Sequence, residues 1–169
     1  MILYPDLYLK KVEDITIEIL QKNKLKALIL DLDNTLIDYN KNLSDTVVEW
    51  AKNLKGQGVK IYILSNSRHK EKVEKVAKKL GVEYSNFAKK PLKTGFLKVQ
   101  KILNEEPEKV AVVGDQIFTD VIGGNRCKMF TILVEPIDRN TEYWYTSWKR
   151  PLEDRIINKY KNEITKEKK

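Results

Sequence analysis

The sequence predicts an α/β fold, one domain built on a parallel sheet of about five strands with helices on both faces. Three observations carry that expectation. The apolar runs Ala27-Leu28-Ile29-Leu30, Ile61-Tyr62-Ile63-Leu64 and Val110-Ala111-Val112-Val113 have the length and character of strands buried on both faces. Segments with helix start and stop signals separate them, which calls for right-handed crossovers between parallel strands. Each run ends in a polar side chain, Asp31, Ser65, or Asp115 after Gly114. Those side chains then gather at the carboxyl edge of the sheet, where open α/β sheets bind ligands.

The elements follow in order. Residues 7–15 have mixed periodicity, and residues 15–20 suit a helix or a strand and are read as a helix; residues 1–24 are set apart as an amino-terminal packing segment. After the first strand, Ser44-Asp45 caps a helix through Leu54 that Gly56 and Gly58 close. A second strand covers 59–64, and a helix over 68–80 starts at a Ser67 cap and stops at Gly81. A short strand-like stretch over 82–88 leads to Lys90-Pro91. A helix over 94–103 ends before Pro107, the strand ending at Asp115 follows, then a helix over 118–126 and a last strand over 129–134. Tyr143-Trp144-Tyr145 with Trp148-Lys149-Arg150 suits either a membrane interface or a segment folded onto the sheet edge with Arg150 as a tether; packing is favoured. Residues 156–169 read as a basic, flexible tail.

Composition narrows the class. At 169 residues, with 41% hydrophobic and 33% charged residues, the chain fits one globular domain with a highly charged surface. One cysteine, Cys127, excludes an internal disulfide and a Cys-rich metal site. No apolar stretch is long enough to span a bilayer, and no signal peptide is evident, so a cytoplasmic protein is expected. The net charge of +8 is concentrated in two places. Residues 149–169 hold eight basic and four acidic residues, and residues 86–101 hold five lysines and no acid. The lysines at 89, 93, 98 and 101 flank Lys90 and suit a pocket for an anion, reached in solution or at the inner face of a membrane.

Asp31 and Asp33 stand two residues apart at a strand end, and the turn-prone Asn34 lets Asp33 swing back to the same pocket. Two such carboxylates are costly together unless a cation neutralises them. The plainer alternative makes Asp33-Asn34 an ordinary turn and Asp31 a loop cap. Asp31-Leu32-Asp33-Asn34-Thr35, then Ser65, Lys90, and Gly114-Asp115 with Asp120, in that order, resemble the motif set of the haloacid dehalogenase superfamily of aspartyl-phosphate phosphohydrolases. The run from Leu28 to Ile37, Lys90-Pro91, and the run from Val110 to Arg126 are similar to the YqeG-type family, a capless branch related to mitochondrial and plastid phosphatidylglycerophosphate phosphatases. Ser65-Asn66-Ser67 departs from the Ser-Asn-Asn expected there.

The resemblance implies a Rossmann-like domain and a Mg²⁺-dependent phosphomonoesterase. Spacing agrees on the missing cap, since 34 positions from Asp31 to Ser65 and 25 from Ser65 to Lys90 cannot hold an inserted domain. Asp31 would be the nucleophile and Asp33 the general acid and base, its main-chain carbonyl also binding metal. Asp31 and Asp115 would supply carboxylate oxygens to Mg²⁺; Asp120 is a further ligand or an anchor for metal-bound waters, and both stay open. Ser65 and Asn66 would hold phosphoryl oxygens, and Lys90 would neutralise charge there and keep Asp31 ionised. Thr35 is expected to stabilise the turn, and His69, the only histidine, to be an exposed helix-start residue. The expected substrate is phosphatidylglycerophosphate, presented as an anionic headgroup, with no nucleic-acid partner and no oligomeric state implied. Phosphoproteins, sugar phosphates or polynucleotide ends are the alternative substrates; a non-catalytic receiver-like or scaffold module is the alternative of another class.

Overall fold

The computed structural model describes residues 1–140 and 144–167. Six strands form one parallel sheet: β1 (Leu7–Leu9), β2 (Ala27–Leu30), β3 (Lys60–Leu64), β4 (Glu83–Ser85), β5 (Val110–Gly114) and β6 (Phe130–Val134). Their spatial order is β1-β6-β5-β2-β3-β4. The helices are α1 (Ile17–Lys22), α2 (Asp45–Gly56), α3 (Lys70–Leu80), α4 (Lys93–Leu103), α5 (Ile122–Arg126), α6 (Trp144–Ser147) and α7 (Arg150–Glu167).

The two-residue alternation of a strand divides the core between the faces. Leu28 and Leu30 of β2 join Ile61, Ile63, Ala111 and Val113 on one face, under Val47, Ala51 and Leu54 of α2 and Val73, Val76, Ala77 and Leu80 of α3. Ala27 and Ile29 join Tyr62, Leu64, Val110 and Val112 on the other, under Phe96, Val99 and Leu103 of α4. A Cβ on Gly123 of α5 would lie 2.2 Å from Phe96 Cε2, so only glycine lets α5 approach α4 this closely.

β2 is central, with β3 and β5 as its neighbours, and the chain passes from the β4 edge back to β5. This reversal of strand order makes the switch-point crevice that α/β folds use for ligands, and it opens at the carboxyl end of β2.

The α/β class is as the sequence predicts, with six strands where about five were expected. The unexpected strand is β1, whose three residues pair with Ile132 to Val134. A partner that distant in sequence leaves no local signal in a three-residue run. Three further expectations are corrected. Ser67 does not cap α3: its hydroxyl accepts from the His69 N–H in a local turn, and the helix starts at Lys70. The helix expected over 118–126 is a wide π turn, Ile117–Val121, followed by α5. The tail expected from 156 is helical to Glu167, because Ile156 and Ile157 pack with Ile117, Val121 and Leu133, and Tyr160 is buried against Tyr4. Of the aromatic segment, Tyr143 and the side chains of Trp144 and Tyr145 lie outside the described residues; Trp148 is exposed and Arg150 is buried.

Candidate active site

Asp31 follows β2 directly, and its N–H donates to Val113 O at 2.9 Å, the last bond of the β2–β5 ladder. The chain then turns through Asn34, which takes a left-handed φ of 61°, a conformation that asparagine tolerates better than most residues. That turn brings Asp33 round to the same cavity of about 450 Å³ that Asp31 lines. Asp31 is nearly buried, whereas Asp33 is half exposed at the mouth, where Lys72 Nζ meets its Oδ1 at 2.7 Å.

Lys90 is held from behind by Asn66. The Asn66 Oδ1 accepts from Lys90 N at 2.7 Å, and its Nδ2 donates to Lys90 O at 3.2 Å. The Lys90–Pro91 peptide is cis. The buried Nζ donates to Asp31 Oδ1 at 2.7 Å and Asp120 Oδ1 at 2.6 Å. Burial works against the ammonium, but Asp120 and Asp31 outweigh it and hold the Lys90 pKa above its ordinary value.

Asp115 follows β5. Its Oδ1 accepts from Thr35 Oγ1 at 3.2 Å, and the same hydroxyl lies 3.3 Å from Asp31 Oδ2, so Thr35 sits between the two carboxylates. Arg150, in the first turn of α7, donates to Asp115 Oδ2 and, through Nη1, to the Asp115 main-chain O at 2.7 Å. Asp120 is delivered by the π turn, where its Oδ2 accepts from Gln116 N and Thr119 Oγ1. A Cβ on Gly114 would fall 2.2 Å from Asp120 Cγ, so the Gly-Asp pair of the motif makes room for a carboxylate as well as a turn.

The electrostatic balance defines what the site can hold. The buried acidic and basic side chains among the described residues are the carboxylates of Asp31, Asp115, Asp120 and Glu153 against Lys90 and Arg150. Fully ionised, four carboxylates face two cations and leave two negative charges uncompensated in a low-dielectric interior. Burial pushes Asp115 well above the usual carboxylate range despite the opposing Arg150, with Asp31 and Asp120 adding to the rise. Burial, opposed by Lys90, likewise raises Asp120 from 3.8 to about 6. Oxygens of Asp31, Asp115 and Asp120 lie within 4.8 Å of one another, so the residues present fit a divalent cation in both number and charge.

A pH dependence follows. A carboxylate with a raised folded pKa contributes stability below its unfolded pKa, and that contribution is lost as pH rises through the folded value. The metal-free protein is therefore expected to lose stability as pH rises through about 6, the window set by Asp120. A divalent cation that neutralises the cluster should raise the melting temperature more at about pH 7 than at about pH 5. Scanning fluorimetry with and without the cation checks this, and an equal gain at both pH values would sink it.

Asp31, Asp33, Asn66 and Lys90 line the cavity, while Asp115 and Asp120 lie buried beside Asp31. Ser65 is fully buried and does not line it; its hydroxyl accepts from the Ser67 N–H at 3.1 Å. The lysines at 89, 93, 98 and 101, read in the sequence as flanking the site, are not among the lining residues. The basic side chains that line it beside Lys90 are instead Lys41, Arg68, His69, Lys72 and Lys149. Nothing in the sequence singles out Lys72 within a lysine-rich helix, and Glu153 carries no local signal. Arg150 was legible as a tether, though not as a tether to Asp115.

The fold and the relatives it shares sequence with define a phosphatase. The family described as mitochondrial PGP phosphatase matches residues 1–138, and the chain belongs to that family. It is 34% identical over 158 residues to a probable phosphatase YqeG of Bacillus subtilis, covering 93% of this chain and 91% of the relative. It is 26% identical to phosphatidylglycerophosphate phosphatase 1, chloroplastic/mitochondrial, of Arabidopsis thaliana, covering 92% of this chain and 47% of that longer protein. Among solved structures, an uncharacterized protein from Listeria monocytogenes serotype 4b shares the fold, with a TM-score of 0.54, 18% identity, and coverage of 78% of this chain and 99% of that one.

Proposed function

We propose that the protein hydrolyses phosphatidylglycerophosphate through an aspartyl-phosphate on Asp31, with Mg²⁺ bound beside it. The buried cluster of four carboxylates against two cations, beside a cavity open to solvent, is the observation that carries this reading. An Asp31 carboxylate oxygen forms a bond to phosphorus as the bond to the leaving oxygen breaks. Asp33, at the mouth where a headgroup departs, gives that oxygen its proton and is itself set in place by Lys72. Asp33 then takes a proton from water, which attacks the phosphorus, releases inorganic phosphate and restores the Asp31 carboxylate. Lys90 stabilises charge on the transferring group, and Asn66, through its clasp on the Lys90 backbone, fixes where that ammonium points. Ser65, fully buried beneath the pocket, supports the Ser67 backbone by accepting from its N–H. Asp31, Asp115 and the Asp33 carbonyl would hold Mg²⁺, with Asp120 as a further ligand or anchor, and the ion would offset the charge of the phosphoryl group.

The lipid substrate rests on the family and on the pocket rim. No described helix is long and apolar enough to cross a membrane. Phe87 is exposed with Arg68 and Lys89 over its ring at 5.0 and 5.2 Å, and exposed Trp148 has Lys149 at 5.7 Å. Arg68 and Lys149 line the cavity, so aromatic and basic groups meet at its mouth, a pairing suited to an anionic bilayer surface. The test is phosphate release from phosphatidylglycerophosphate in phosphatidylglycerol vesicles against phosphopeptides and sugar phosphates, each with and without a chelator. Faster, chelator-sensitive turnover of the lipid, weakening as salt rises, is expected. Faster turnover of a soluble phosphomonoester would replace the lipid assignment.

A further inference from the structure

Arg150 lies beyond residues 1–138, the part that the family model matches. Its guanidinium is buried and fixed on two sides. Nη1 donates to the Asp115 carbonyl at 2.7 Å and to Glu153 Oε2 at 3.0 Å, while Nη2 engages Asp115 Oδ2. Glu153 is anchored in turn, its Oε1 accepting from the Ile117 N–H at 2.8 Å. The other Asp115 oxygen, Oδ1, faces Asp31 across the Thr35 hydroxyl. Asp31 is divided in the same way, with Oδ1 on Lys90 and Oδ2 towards Thr35.

We propose that Arg150 sets the cation preference of the site by engaging one oxygen of Asp115, so that this carboxylate offers a metal only the other. The inference rests on the reading of Asp115 as a metal ligand. Mg²⁺ requires a compact octahedron of single oxygen atoms, whereas the larger Ca²⁺ takes more ligands in looser geometry and gains from a carboxylate that binds through both oxygens. Blocking Oδ2 therefore costs Mg²⁺ nothing and deprives Ca²⁺ of a ligand. Arg150 is a positioning residue here, since it acts through Asp115, and α7 becomes part of the site that β2 and β5 begin.

The test is calorimetric titration of the metal-free full-length protein with Mg²⁺ and, separately, Ca²⁺, before and after Arg150→Gln. Removing a positive charge alters the attraction of both dications alike, so the ratio of the two affinities isolates geometry from charge. The ratio of Ca²⁺ to Mg²⁺ affinity should rise by about tenfold, the lower end of what partners of metal ligands control. If circular dichroism shows that Arg150→Gln does not fold, Arg150→Lys carries the test. It keeps the charge but lacks the planar fork that spans the Asp115 carbonyl and Oδ2, and the ratio should rise in the same direction. An unchanged ratio in a folded variant, with the wild type binding Mg²⁺, overturns the inference and leaves the metal reading standing. A wild-type protein that binds neither cation overturns both.

Discussion

Asp31→Asn is expected to abolish phosphate release, lowering kcat by about 10⁴-fold or more, because the amide cannot attack phosphorus as the carboxylate does. The fold should survive. Asparagine preserves volume, and Lys90 keeps its 2.6 Å bond to Asp120. Removing the Asp31 charge also relieves the repulsion that contributes to the raised pKa values of Asp115 and Asp120. The metal-free variant should therefore melt at or above the wild-type temperature while losing turnover, a combination that separates a chemical role from a structural one. Mass spectrometry of acid-quenched wild type should find phosphate on the peptide carrying Asp31, and none there in the variant. Residual activity above about one part in a hundred in a clean preparation would remove Asp31 from the nucleophile's role.

Lys90→Gln should cost both stability and rate. The Nζ stands between two buried carboxylates, and glutamine, one atom shorter, keeps a donor but no charge. Removing one partner from a buried ion pair costs about 3–5 kcal/mol, and the metal-free variant should lose that much at about pH 7 in urea denaturation. The loss should shrink towards about pH 5, because Asp120, already raised to about 6, takes up a proton and no longer needs a counter-charge. Lys90 itself does not titrate in that window, since its own pKa lies above its ordinary value. Turnover should fall by about 10²–10³-fold even where the variant is folded, as when a preorganised transition-state donor is removed. A stability loss below about 1 kcal/mol at neutral pH would mean that solvent reaches the cluster far more than its burial implies.

Much of the site was legible because its residues occupy strand ends. Apolar runs that stop at Asp31, Ser65 and Asp115 announce both a buried parallel strand and the edge at which it ends, and the sheet then brings those edges together. The positions of Asp33 and Lys90 follow from turns within a few residues of a strand. The cationic rim was misplaced for the opposite reason. Lysines at 89, 93, 98 and 101 are close to Lys90 along the chain, but those at 93, 98 and 101 ride on α4, and none of the four lines the cavity, which Lys41, Arg68, Lys72 and Lys149 reach from other elements.

The sequence by itself determined the α/β class, the parallel strands and the strand ends at which Asp31, Ser65 and Asp115 stand. Each of these depends on periodicity, spacing or a motif within one short segment. Only the tertiary structure decided that β1 adds a sixth strand, that Thr35 sits between Asp31 and Asp115, that Lys72 holds Asp33, and that α7 returns Arg150 to Asp115 at the end of β5. Each of these is a pairing between side chains or strands that the chain separates, by as few as 4 positions for Thr35 and Asp31 and as many as 125 for Leu7 and Ile132. Local propensity carries no record of such partners; the burial that drives them together exists only once the sheet has formed.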